Sequence, residues 1–114
     1  MSDGYCDEHK HIAEERKKER HKRYDSMKRD KQAASFYKST PWERVRLHAL
    51  DRDHHLCQHC VDNKRIQMAD MIDHIIPIRI DWSLRVTMSN LQSLCNQCHA
   101  IKTAEDKRKY GDKL

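Results

Sequence analysis

The chain has 114 residues, 37% apolar and 36% charged, with a formal charge of +5 and no apolar run near the ~18 residues of a membrane span. That length fits one domain, or one domain with an arm, around a small core. The opening MSDGYCDEHKH has no apolar h-region, so the expectation is a soluble, cytoplasmic protein, and the charge favours an acidic partner.

Residues 1–38 read as a charged arm, flexible or helical. They hold 19 charged residues, and no regular apolar stripe runs through Tyr5, Ile12, Tyr24, Met27, Phe36 and Tyr37. Over 16–31, nine Lys/Arg stand against three Asp/Glu, too little apolar surface to offset the entropy of ordering. AEERKKERHKR is nevertheless rich in helix formers and in i,i+4 charge pairs, which supports a solvated helix. A basic arm of this kind would add phosphate contacts if the partner is a nucleic acid.

A compact domain is expected over 39–114. In STPWERVRLHALDRDHHLC, Thr40, Pro41 and Glu43 read as N-cap, N1 and N3 of a capping box. Trp42, Val45, Ala49 and Leu50 then fall at helical spacing, predicting a helix over about 41–52. Its other face carries Arg44, Arg46 and His48, a solvated face unless DNA lies beside it. An apolar, strand-like run covers 68–76, interrupted by the ionisable pair Asp73 and His74, which is costly to bury without partners. A second short strand is expected over 91–94, and a closing helix over about 97–109 with Gly111 beyond its end.

Four of the five cysteines form CQHC and CNQC, separated by 34 residues; Cys6 stands apart as a bystander. Two Cys-x-x-Cys pairs in one short chain signal structural zinc on Cys57, Cys60, Cys95 and Cys98, because a two-residue spacer lets a tight turn aim both thiolates at one ion. A small core also needs such a staple. Four bound thiolates would lower the effective charge from +5 toward about +3. A redox role is disfavoured, since nothing here follows a βαβ thioredoxin pattern. His54, His55 and His59 read as loop or knuckle residues. Pinning the two knuckles together brings Asp73 and His74 toward His99, and a carboxylate with two imidazoles makes a second, catalytic metal centre plausible on chemical grounds.

The blocks Asp73-His74-Ile75-Ile76-Pro77, Asn90-Leu91-Gln92-Ser93-Leu94-Cys95 and Cys98-His99-Ala100-Ile101-Lys102-Thr103 resemble the signature of the HNH endonuclease family, in order and at ordinary separations. The paired knuckles resemble its four-cysteine branch, and the likeness covers roughly 41–105. It implies an α+β fold with a ββα-metal core. It implies His74 as general base, Asp73 and His99 as ligands of one divalent ion (magnesium, manganese, nickel or zinc), and Asn90 as the residue fixing the loop that orients His74. The chain departs from the pattern at none of these four positions, though Lys107, Arg108 and Lys109 stand where relatives often have small, glycine-rich tails. The implied reaction is hydrolysis of DNA to 5′-phosphate and 3′-hydroxyl ends. The implied setting is a phage one: a monomer in the host cytoplasm, with terminase or other packaging proteins as partners.

Neighbouring residues of a flat strand face opposite ways, so Asp73 and His74 can share a centre only if the strand ends or twists there; Pro77 supports an interruption. On the closing helix, His99, Lys102, Thr103 and Asp106 share a face, which would let Lys102 meet a phosphate, with Arg44 and Arg46 as further backbone contacts. Two other readings compete: a zinc-stapled DNA-binding module without catalysis, and an adaptor within a larger phage or host complex. Neither requires His74 with both presumed metal ligands.

Overall fold

The computed structural model describes residues 7–114, with side chains from residue 16 onward, and divides into two compact units, 1–35 and 36–114. The first is occupied by α1 (Asp7–Tyr37), a helix of 31 residues whose last two belong to the second unit. The boundary thus falls before Phe36 instead of after Lys38. Phe36 is buried in the main core with Trp42, Ala49, Ile72 and Leu91, so the arm ends where the first apolar anchor begins. Among the described residues no helix is long and apolar enough to cross a membrane.

The second unit starts with α2 (Thr40–Arg52). Its N-cap is Ser39, not Thr40: the Ser39 hydroxyl accepts from the Trp42 backbone N–H, and Thr40 and Pro41 become the first two helical residues. Either hydroxyl residue can cap, and proline needs no N–H partner at this end. Glu43, one position beyond the N3 site that would close a box on Ser39, instead pairs with Arg46 at 2.7 Å. Trp42 and Ala49 are buried and Val45 and Leu50 pack beside them, as the helical spacing predicts.

The chain leaves α2 through His54 and His55, both left-handed (φ 55° and 61°), and enters the short α3 (Gln58–Asp62) with Cys57 as its N-cap. An isolated bridge joins Leu56 to Met68. The strand proper, β1 (Met71–His74), is shorter than the apolar run around it and pairs antiparallel with β2 (Leu91–Leu94), His74 opposite Leu91 and Asp73 opposite Gln92. It stops at His74 because the next two backbone N–H groups bond to Asn90, Ile75 to its carbonyl and Ile76 to its side chain. The closing helix α4 (Asn96–Tyr110) receives a borrowed cap, Asp70 Oδ2 accepting from Asn96 N at 2.8 Å, and ends at Gly111, whose φ of 54° suits a residue without Cβ.

The core is small. Besides the five residues around Phe36, a second cluster holds Leu94 with Cys57, Cys60 and Cys95. Arg52 ties these layers together. Its guanidinium bonds both Asp53 oxygens at 2.9 Å and the carbonyls of Met88 and Leu91, while Asp53 Oδ2 accepts from Ser93 N.

Candidate active site

The two knuckles meet as one cluster. The sulfurs of Cys57, Cys60, Cys95 and Cys98 all lie within 4.8 Å of one another, with Cys60 3.9 Å from Cys95 and 3.8 Å from Cys98. A tetrahedral zinc with bonds of about 2.3 Å needs thiolates about 3.8 Å apart, so donors and spacing fit structural zinc. Burial and hydrogen bonds from its sulfur neighbours push the Cys98 thiol up to about 12. Cys57 is drawn down to about 7, because backbone and side-chain hydrogen bonds outweigh a burial that alone would raise it. Binding a cation at these four sulfurs would release the protons the thiols hold. Among the described residues this is the one cluster of metal-binding type; His54, His55 and His59 stand outside it, and Cys6 lies outside the described residues.

Alternation along β1 sends Ile72 and His74 toward the core and Met71 and Asp73 toward the other face. His74 is 5% exposed and lies between aromatic rings: stacked on Trp42 at 5.1 Å, with Phe36 and Tyr37 each at 6.2 Å. Its Nε2 is 2.9 Å from the Arg85 carbonyl. A carbonyl only accepts, so Nε2 carries the hydrogen and Nδ1 is left as the ring's acceptor. Burial, partly offset by Arg85 and Asp73, holds its pKa below the ordinary histidine value.

Asp73 is met from α4. One oxygen, Oδ1, lies 3.6 Å from His99 Nε2; the other, Oδ2, lies 2.9 Å from Lys102 Nζ, with Gln92 Nε2 at 3.4 Å. Cys98 and His99 are consecutive, so one turn of helix delivers a thiolate to the cysteine cluster and an imidazole to Asp73. Asp73, His74 and His99 line one open cleft of about 410 Å³ with Tyr37, Trp42 and Arg46. Asn90, 5% exposed, clamps the loop after β1: its Oδ1 accepts from Ile76 N at 2.8 Å and its Nδ2 donates to Ile76 O and Leu84 O.

Three expected contacts are placed differently. Lys102 is buried, its ammonium held between Asp73 at 2.9 Å and Asp106 at 2.6 Å, so it is not simply solvated. Its pKa is raised, the two carboxylates outweighing burial. Arg46, four residues after Trp42, joins Trp42 at the cleft, away from the face it was expected to share with Arg44. Arg44 is exposed on the far side of α2 and is not among the residues lining the cleft. The sequence reading missed Phe36 and Tyr37 as walls of the His74 pocket. The available signal was an adjacent aromatic pair just before a helix start, hidden in a stretch without apolar periodicity.

The family model for HNH endonucleases matches residues 57–105. The chain is 32% identical over 87 residues to the "Probable HNH endonuclease" of Lactococcus phage SK1, spanning 71% of this chain and 88% of that protein. It also resembles the crystal structure of the HNH endonuclease of the deep-sea thermophilic bacteriophage GVE2 with manganese ion: 56% identity and a TM-score of 0.75 over 78% of this chain and 97% of that one. The chain belongs to the HNH endonuclease family and is a nuclease with phage homologues, its two-stranded sheet and α4 forming the ββα core.

Proposed function

We propose that this nuclease hydrolyses DNA phosphodiester bonds with the help of one divalent ion, leaving 5′-phosphate and 3′-hydroxyl ends. The observation that carries the reading is the approach of Asp73 Oδ1 and His99 Nε2 to 3.6 Å at a cleft that His74 also lines. An oxygen and a nitrogen at that separation can both reach a divalent ion at about 2.1 Å, and the donor pair suits magnesium, manganese, nickel or zinc. The manganese ion of the GVE2 structure supports a metal of this class. Such an ion, when bound, offsets the charge developing on the phosphate and the leaving 3′-oxygen.

The chain's own residues do the rest. Asp73 and His99 hold the ion. Lys102, paired to Asp73 Oδ2, keeps Oδ1 turned toward His99. His74 takes a proton from water at Nδ1, while the hydrogen on Nε2 stays fixed on the Arg85 carbonyl. Asn90 holds the 75–84 loop, and so the Arg85 carbonyl that follows it, in place. Arg46, paired with Glu43 at 2.7 Å, lies at the cleft, where a phosphate backbone would pass. The phage origin of both relatives supports a phage setting for this reaction; within that setting we place it in the host cytoplasm, in a monomer that serves DNA packaging beside a terminase.

The test is conversion of supercoiled plasmid by zinc-loaded wild type and His74→Ala, with magnesium, manganese or nickel and with EDTA. Metal-dependent nicking or linearisation in wild type alone is expected. Plasmid retarded on a gel but uncut under every metal would instead make the protein a zinc-stapled binding module. Equal cutting by both proteins would remove His74 from the role of base.

A further inference from the structure

The charged arm is not uniformly charged around its circumference. Wound at 3.6 residues per turn, Arg16, Lys17, Arg20, Arg23, Lys28 and Lys31 of α1 fall within about 140° of the helix surface. The three carboxylates of the same stretch, Glu19, Asp25 and Asp30, all fall outside that arc, together with Lys18, Lys22 and Arg29. All six cations of the arc are exposed, and Tyr24 and Met27, 68% and 60% exposed, lie among them.

We infer that this face of α1 is a second nucleic-acid contact surface, binding the phosphate backbone of duplex DNA without reading its sequence. Six cations with no carboxylate inside the arc, though Glu19 and Asp30 flank its edge, leave that face net positive and attractive to a polyanion. From Arg16 to Lys31 the face runs about 22 Å, close to two-thirds of a turn of B-DNA. A membrane-surface helix would need its large apolar residues opposite the cations; here Tyr24 and Met27 stand between them. A coiled-coil partner would need an apolar seam, which α1 lacks. The choice of DNA over other polyanions rests on the nuclease reading above.

The experiment compares two charge-matched triples in the full chain, both carrying His74→Ala and assayed without added divalent ion. One is Lys17→Gln, Arg20→Gln, Lys28→Gln; the other is Lys18→Gln, Lys22→Gln, Arg29→Gln. Affinity for a labelled duplex of arbitrary sequence is measured by anisotropy across a salt series. The first triple is expected to weaken binding at least about tenfold and to flatten the log K against log salt slope by about 2 to 3, with the second well under half of either effect. Equal losses in both triples would mean that net charge alone acts and would overturn the proposal, as would no loss in either. Loss confined to single-stranded RNA or anionic vesicles, with duplex affinity intact, would overturn it too. Plasmid cutting by the wild type is scored separately, so failure of this surface is distinguishable from failure of the DNase reading.

Discussion

At His74 the surroundings and the proposed task agree. A base must be neutral to accept a proton, and burial among Trp42, Phe36 and Tyr37 disfavours the charged ring. Activity should therefore rise with pH through a folded value lying below the ordinary 6.5, which places the midpoint of the acid limb of kcat/KM under that pH. A midpoint above 6.5 would contradict the assignment. Lys102 makes a different prediction. Lys102→Met leaves Asp73 and Asp106 facing each other without their shared cation and should cost about 2 kcal/mol in urea unfolding, whereas Lys107→Met, at an exposed position, should cost almost nothing. Asp73, His74, Asn90 and His99 were legible because they fall in short contiguous blocks. The partner of Lys102 was not, because a helix face read from spacing does not reveal which strand lies against it.

Among the elements, the join of α2 to β2 is the least expected. Arg52 makes four hydrogen bonds, two to Asp53 and two to carbonyls 36 and 39 residues away. No local pattern in the sequence around Arg52 announces such a contact. Arg52→Met is expected to lower stability by about 2 to 3 kcal/mol by leaving the mostly buried Asp53 carboxylate without its fork. Ser39→Ala should cost about 1 kcal/mol and Thr40→Ala much less, which separates the observed cap from the expected one; both are read from chemical denaturation. Element lengths were legible where one cause acts, as in α4 with its terminal Gly111. They were less so at β1, whose end depends on hydrogen bonds to Asn90, 14 to 15 residues further on.

Over the whole molecule, the cysteine cluster does two jobs. It supplies stability that a core of a few apolar side chains lacks, and through Cys98 and His99 it fixes one wall of the cleft. Stripping zinc with a strong chelator should make all four thiols reactive and unfold residues 36–114, with a large fall in melting temperature; a melt unchanged by chelation would refute the structural role. The arm, by contrast, reads from sequence only as charged, flexible or helical, and its segregation of charge appears once the helix is wound. The aromatic walls of His74 carry a further lesson about inheritance. The family-matched block, 57–105, contains the four clustered cysteines together with Asp73, His74 and His99, yet Phe36, Tyr37, Trp42 and Arg52 all precede it. The motif is therefore not a portable cassette. Grafted by itself into another scaffold, it would carry its four cysteines and the Asp73–His99 pair but leave behind the aromatic box whose burial lowers the pKa of its histidine.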